Sequence, residues 1–502
     1  MNIAGVFNNL FKEPIPIADW YTTGIAVVLI FIIIIIAYYL KQIFVFWKEE
    51  WSRKFVHICT GILAAIAPYY FNSAILLLSI SLLFLILDFT FIKKGILKDI
   101  FGQRFSYGTV YFPLANILLI IFCWPDYKHL ITLGMLLFAI PDALAAVAGN
   151  LIRRNYIFVP IKDKKSIVGS TIMFLFSLII IYIFFYTFSK DNYGLLLHYA
   201  FMAALIITVV EMMSSSGSDN LYVPITGVLI FFIFQNSSND LIMQIGLAIL
   251  LSLIIAIISF HLKFLSLSGS LMTFLLAVAI FGLGGLQWAV PILTFFILSS
   301  LLSKAGKSRK QKFKNTFEKT GIRDHIQVLV NGGIGGFFVI ISYFYNGNNA
   351  IFFYLYLISL SVAVADTWAT EIGILFKWKP YLITTFKKVN PGLSGAVSLH
   401  GTIGGILGST IIAYSGIIFL NKLNYDLFFI IIFLGVFGSI IDSILGATIQ
   451  GQYVCSVCKK YTEKKIHCNY ETKLIRGYKF INNDTVNFLS ILFTVSIFIL
   501  FN

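Results

Sequence analysis

Six carboxylates stand where a lipid-embedded chain should have none. Asp88, Asp142, Glu211, Asp366, Glu371 and Asp442 fall inside or beside long apolar runs, and Arg53, His57, Arg323, Gln327 and Asn331 lie near the starts of such runs. An ionisable side chain in a membrane-spanning segment is costly, so each is a functional candidate. Carboxylates near a helix end suit magnesium, which takes one or two of them and completes its shell with phosphate and water. Lys164-Lys165-Ser166-x-x-Gly169-Ser170 opens a helix with cations, hydroxyls and free backbone amides, a set that attracts phosphate oxygens. Together these types suit phosphoryl transfer from a nucleotide. Walker A, protein-kinase and GxSxG signatures are absent from the sequence, so a kinase here would be of a membrane-embedded kind.

The elements that must hold these residues are helices. Of 502 residues, 59% are hydrophobic and 12% charged, about half the charge of a soluble domain. Apolar runs repeat from end to end, each long enough to cross about 30 Å of hydrocarbon. Backbone groups in lipid must be satisfied within the segment, which selects helices over open strands. The pattern predicts an all-α, polytopic integral membrane protein of about 16 transmembrane helices, in two related helical-bundle halves. They are placed at 22–45, 55–71, 73–91, 109–124, 129–151, 166–188, 195–213, 222–236, 241–260, 266–282, 286–303, 324–345, 350–375, 394–420, 426–450 and 485–501. The start is polar and the first apolar run lacks a small-residue cleavage site, so no cleavable signal peptide is expected.

Alternate loops are basic. Positive charge gathers at Lys48, Arg53 and Lys54, at Lys93 to Arg104, from Arg153 to Lys165, from Lys304 to Arg323, from Lys377 to Lys388 and from Lys459 to Lys479. The positive-inside rule makes these loops cytoplasmic, which places the unusual polar residues at the cytoplasmic ends of their helices. Basic loops of this kind account for the net charge of +15 without nucleic acid, and they would attract an anionic nucleotide or phospholipid. Cys59 and Cys123 read as packing residues. Cys455-x-x-Cys458 with His467 and Cys468 fits a structural zinc site or a set of reduced thiols. Adjacent His467 and Cys468 are awkward partners on one ion, which leaves the fourth ligand open.

The chain also repeats itself. Arg53-x-x-x-His57-x-x-x-Gly61 returns as Arg323-x-x-x-Gln327-x-x-x-Asn331, a spacing that keeps the side chains on one helix face. Pro141-Asp142-Ala143 answers Ala365-Asp366-Thr367, and Lys164-Lys165-Ser166 answers Lys387-Lys388 with Ser394-Gly395. Asp219-Asn220 has a loose counterpart in Asn483-Asp484 with Asn487. Four matches in one order point to a duplication.

Residues 51–240 resemble the phytol kinase and dolichol kinase family. The likeness rests on Arg53-Lys54-x-x-His57-x-x-x-Gly61, Asp142-Ala143-x-Ala145-Ala146, Lys165-Ser166-x-x-Gly169-Ser170, and Glu211 followed by Asp219-Asn220-Leu221-x-Val223-Pro224. It departs at Val147-Ala148-Gly149-Asn150, where that family is richer in glycine, and at Asp88, where it has Glu. Residues 241–502 resemble the family of phytyl-phosphate kinase and transmembrane protein 19. That likeness rests on Lys304-Ala305-Gly306 to Lys310, Gln327 to Gly332, Ala365-Asp366-Thr367-Trp368-Ala369-Thr370-Glu371-x-Gly373, Gly392 to Thr402, Asp442-Ser443-x-x-Gly446-Ala447-x-x-Gln450, and Asn483-x-x-Val486-Asn487. Residues 1–50 add a transmembrane helix and its following loop.

Together the resemblances imply a bifunctional membrane isoprenoid kinase. It would convert a prenol to the monophosphate and then to the diphosphate, with CTP or another nucleotide and Mg2+. Asp142, His57, Glu211, Asp366, Glu371 and Asp442 are the expected catalytic and metal-holding groups. Arg53, Lys164, Lys165, Ser166, Asp219, Asn220, Arg323, Gln327, Asn331, Lys387, Lys388, Ser394, Asn483 and Asn487 are expected around the nucleotide and phosphate. The expected partners are isoprenoid substrates and membrane lipid, and the expected place is a bacterial cytoplasmic membrane with both sites facing the cytoplasm. Duller roles stand beside these: His57 bonded to a carbonyl, Asp88 paired with Lys93 or Lys94. A membrane lipid cytidylyltransferase is an alternative with similar acidic ligands, and a secondary transporter would also show internal repeats.

Overall fold

The computed structural model describes residues 15–43, 49–94, 106–151, 157–188, 193–305, 321–345, 350–376, 378–420 and 425–501. Lys48, Lys98, Arg104, Arg153, Lys377 and the Gly306–Lys310 motif lie outside the described residues. The chain divides into two compact units, Met1–Ile242 and Met243–Asn502.

The first unit holds α1 (Ile17–Ile43), α2 (Glu49–Ile66), α3 (Ala74–Lys94), α4 (Gly108–Cys123), α5 (Lys128–Ala139) and α6 (Pro141–Leu151). A two-stranded hairpin follows, β1 (Ile157–Phe158) with β2 (Lys165–Ser166), then α7 (Ile167–Phe188), α8 (Tyr193–Met213) and α9 (Asp219–Asn236). The division falls inside α10 (Asn239–His261). The second unit continues with α11 (Leu267–Gly284), α12 (Leu286–Ala305), α13 (His325–Phe344) and α14 (Ala350–Leu375). Its hairpin pairs β3 (Tyr381–Leu382) with β4 (Ala396–Val397), and α15 (Leu399–Ile417) and α16 (Tyr425–Thr448) come next. Five short strands precede the last helix: β5 (Gln452–Val454), β6 (Tyr461–Thr462), β7 (Ile466–His467), β8 (Tyr470–Glu471) and β9 (Lys473–Arg476), then α17 (Asn483–Phe501).

Among the described residues, 12 spans are long and apolar enough to cross a membrane, α5 and α6 together making one of them. Helices also stand at the other four expected positions, as α2, α4, α9 and α15. Burial sorts the spans. Only 6% of the apolar window of α1 is buried, whereas 67% is buried in Lys128–Leu151 and in Ala350–Leu375. Those two are the helices that carry Asp142 and Asp366, so each unit wraps its aspartate helix. Asp19 shows what a purely structural acid does: fully buried, it accepts from the N–H groups of Asn72 at 3.1 Å and Ser73 at 2.8 Å and so ties down the turn before α3, whose first-turn Ile75 N–H donates to Ser73 Oγ at 3.2 Å.

From α4 and from α13 onward the two units share one order: helix, aspartate helix, hairpin, helix, helix, last helix. The preceding helices differ in use, because α2 packs on α5 in the first unit while α12 packs on α14 in the second. Arg323, entering α13, therefore stands where Ser106 stands before α4 and not where Arg53 stands in α2. The hairpin alignment moves as well. Ser166, the last residue of β2, accepts from Gly169 N–H at 3.0 Å, and Ser398, the residue after β4, accepts from Gly401 N–H at 3.1 Å. The counterpart of Lys165-Ser166 is thus Val397-Ser398, and Lys387 and Lys388 belong to the hairpin loop.

Under each serine cap the helices nearly touch. A Cβ added at Gly169 would lie 3.2 Å from Ala145 O, and one at Gly401 would lie 2.7 Å from Ala369 O. Backbone cannot yield as a flexible side chain can. Gly401→Val should lower stability by about 1–3 kcal/mol, read as a lower melting temperature in detergent. Gly24→Val, where nothing lies within 4 Å, should melt like the wild type, and equal melting of the two variants would contradict the close packing.

Candidate functional site

Pro141 organises the first site. It lacks the N–H that would continue α5 and is well placed at the first position of a new helix. The break after Ile140 puts Asp142 in the first turn of α6, deep in the unit and 8% exposed. Free amides at a helix start favour a carboxylate there. Lys54, from α2, donates to Asp142 Oδ2 at 2.7 Å, and His57 Nε2, one turn further along α2, lies 3.4 Å from the same oxygen. His57 Nε2 is also 2.9 Å from the Phe138 carbonyl. A carbonyl only accepts, so that nitrogen carries the hydrogen.

Across the cavity, Lys165 donates to Glu211 Oε1 at 2.5 Å. Burial works against the Lys165 ammonium, but Glu211, with Asp219 and Asp142 behind it, outweighs burial and holds its pKa above the ordinary lysine value. One oxygen each of Asp142, Glu211 and Asp219 lies within 4.8 Å of the others, close enough to share a cation. These residues line a cavity of about 560 Å³ with Arg53, Lys164, Ser166 and Asn220. The Asn220 amide is already engaged, donating to Gly108 O at 2.8 Å. Asp88 does not line the cavity.

In the second unit a cavity of about 640 Å³ is lined by Arg323, Gln327, Asn331, Asp366, Glu371, Ser394, Asp442, Asn483 and Asn487. Asp366, in α14, and Asp442, in α16, come to this one cavity from different helices. Ser490 Oγ donates to Asp442 Oδ2 at 3.3 Å, and the Asn487 amide nitrogen, once its oxygen and nitrogen are assigned by their neighbours, donates to it at 2.9 Å. Ser303, near the end of α12, hydrogen-bonds Glu371. Burial lowers the Arg323 pKa and Glu371 opposes that shift. Gln327 doubles as a cap residue: its N–H donates to Asp324 at 3.0 Å and its side-chain oxygen accepts from Asp324 N–H at 3.3 Å.

Lys387 and Lys388 are exposed and do not line this cavity. Lys388 instead lies 5.9 Å from the Tyr381 ring centroid. Lys54 and Lys304, present in their motifs but given no site role, line the cavities, as do Ser303 and Glu463, which the sequence did not mark out. Lys54 was visible beside Arg53 in its motif. Glu463 carried no signal, being one charge in a polar loop. Cys455, Cys458, His467 and Cys468 come together in the β5–β8 segment, their ligand atoms within 4.8 Å of one another.

Residues 250–495 match the family described as integral membrane protein DUF92. The chain is 33% identical over 269 residues to protein PGR of Arabidopsis thaliana, a match spanning 49% of this chain and 92% of that protein. It is 34% identical over 166 residues to the uncharacterized membrane protein MJ0933 of Methanocaldococcus jannaschii, over 33% of this chain and 66% of the relative. Protein VTE6, chloroplastic, of Arabidopsis thaliana is 26% identical over 230 residues, 45% of this chain and 62% of its own length. No solved structure matches the chain.

The buried Lys54–Asp142 pair makes a testable demand. Lys54→Met alone leaves a buried carboxylate unpaired and should cost about 3–5 kcal/mol. Adding Asp142→Asn should recover much of that loss. Thermal unfolding of the single and double variants measures both, and additive losses would mean that the pair does not couple.

Proposed function

The chain belongs to the DUF92 family of integral membrane proteins, and from that membership and its two cavities we propose that it phosphorylates an isoprenoid alcohol in two steps. The first unit makes the monophosphate from the alcohol, and the second makes the diphosphate from the monophosphate. A nucleoside triphosphate, CTP by the resemblance of the first half to phytol and dolichol kinases, is the donor in both. One observation carries the reading: each unit gathers carboxylates and cations from distant parts of its sequence into a separate polar cavity at its aspartate helix.

The second cavity has an apolar neighbour. A slot of about 70 Å³, lined by Leu265, Leu276, Ile292 and Phe295, shares Arg323, Gln327 and Asn331 with it. An amphiphile fits such a junction, its phosphate at Arg323 and the first carbons of its chain against the slot. That arrangement favours a lipid acceptor over a soluble one.

Asp142, Glu211 and Asp219 would hold Mg2+ in the first cavity, and Asp366 and Asp442 are the candidates in the second. When bound, the ion supplies charge neutralisation on the triphosphate. The chain's own residues do the rest. Lys54 and Lys165 offset charge on the transferring phosphoryl group. The prenol oxygen attacks the γ-phosphorus as the bond to the β-phosphate oxygen breaks, and nucleoside diphosphate leaves. Asp142 or His57 takes the hydroxyl proton; with Nε2 donating to the Phe138 carbonyl, the accepting nitrogen of His57 is Nδ1. In the second cavity the acceptor is already an anion and needs no base. Arg323 and Lys304 offset its charge there.

Product analysis with purified protein, magnesium, CTP and either geranylgeraniol or its monophosphate tests the reading. Wild type should make diphosphate from both. Asp142→Ala should use only the monophosphate, and Asp366→Ala should stop at the monophosphate, each losing about 10²–10⁴-fold in its own step. Release of pyrophosphate in place of nucleoside diphosphate would transfer the assignment to cytidylyl transfer, and no product with any nucleotide would end it.

A further inference from the structure

The segment between α16 and α17 carries metal-ligand types that phosphoryl transfer does not use. Cys455 and Cys458 sit in the turn joining β5 to β6. Cys455 N–H donates to Lys460 O and Lys459 N–H donates to Cys455 O, both at 3.0 Å. His467 and Cys468 sit at the β7–β8 hairpin, whose two turn residues, Cys468 and Asn469, have φ of 53° and 62°. This left-handed pair is the tight hairpin turn that matches strand twist.

The turn also resolves the difficulty of two neighbouring ligands. With its backbone left-handed, Cys468 folds its Sγ back to 3.2 Å from His467 Nδ1, and Cys458 Sγ lies 3.6 Å from the same nitrogen. A tetrahedral zinc ion with Zn–S of about 2.3 Å and Zn–N of about 2.0 Å sets its ligands about 3.5 Å apart, the scale found here. All three thiols are free. The β5–β6 turn is backed by β9 in a three-stranded sheet, but the β7–β8 hairpin pairs only two residues per strand and is not independently stable. A cross-link is what such a segment needs.

The same segment reaches the second cavity. Glu463 lies between the two turns, and its Oε1 accepts from Ser394 Oγ at 2.7 Å and from Gln450 Nε2 at 3.1 Å. All three residues line the cavity. On the other side Arg476, in β9, donates to Gly446 O at 3.4 Å and Ser394 O at 3.5 Å.

We propose that Cys455, Cys458, His467 and Cys468 bind one zinc ion, and that this ion fixes Glu463 as a positioning residue of the second cavity. The activity readout of the second clause rests on the phosphoryl-transfer reading; the metal and its effect on Glu463 do not. The test uses full-length protein purified without added metal, with Cys458→Ser/Cys468→Ser and Glu463→Gln beside it. Wild type and Glu463→Gln should carry stoichiometric zinc by elemental analysis, and the double variant none.

Hydrogen exchange around Ser394 and Glu463 should rise in the double variant while exchange in the first unit stays as in wild type. Conversion of geranylgeranyl monophosphate should fall about 10-fold or more in the double variant, with conversion of geranylgeraniol to monophosphate little changed. Glu463→Gln should raise the KM for the monophosphate while keeping its zinc. Zinc-free wild type, or loss of zinc with no change in exchange at Ser394 and Glu463, overturns the proposal. Metal content and exchange decide it even if no acceptor is phosphorylated, an outcome that would remove the kinase reading alone.

Discussion

Buried carboxylates at the ends of apolar helices are the constraint around which both units are built. A charge there must be met by a partner, and the partners arrive from other elements. In the first unit Lys54 comes from α2 to Asp142, and Lys165 comes from the β1–β2 hairpin to Glu211. Neither pair forms unless α2, the hairpin, α6 and α8 converge, so the pairs specify packing as much as they benefit from it. The second unit satisfies the constraint differently. Asp366 and Asp442 line one cavity, and the Ser490 hydroxyl and Asn487 amide bond Asp442 where the first unit uses a lysine.

Helix positions were legible in the sequence because lipid leaves the backbone little choice. A long apolar run in hydrocarbon is a helix whatever its neighbours are. The correspondence of Asp142 with Asp366 was legible too, and the glycines beneath the serine caps bear it out: Gly149 lies under Ser166 as Gly373 lies under Ser398. Most residues singled out by type fall in two cavities, since polar groups expelled from lipid have few other places to gather.

What was not legible concerns direction and register. Residues one apart on a helix point about 100° away from each other, so Arg53-Lys54 could not say which cation faces Asp142. A spacing of four matched Arg53 with Arg323, yet periodicity is blind to which helix packs on the aspartate helix. Strands of two residues leave almost no pattern, and the hairpin match slipped onto Lys387 and Lys388 when Val397 holds the place of Lys165. Glu463 is distant in sequence from every motif and reaches the cavity only because the strands after α16 fold back on it.

That exchange of a lysine for a valine changes the second cavity's balance. Five carboxylates line it, Asp366, Glu371, Asp442, Glu463 and Asp484, against the fixed cations Lys263, Lys304 and Arg323. Such a space behaves as a small ion exchanger. Mobile cations would partition into it and bare anions would be repelled, so that a phosphorylated ligand would enter at lower cost as its metal complex than as the free anion. Occupancy would then follow divalent cation concentration, with monovalent salt weakening the partition as it screens the fixed charge.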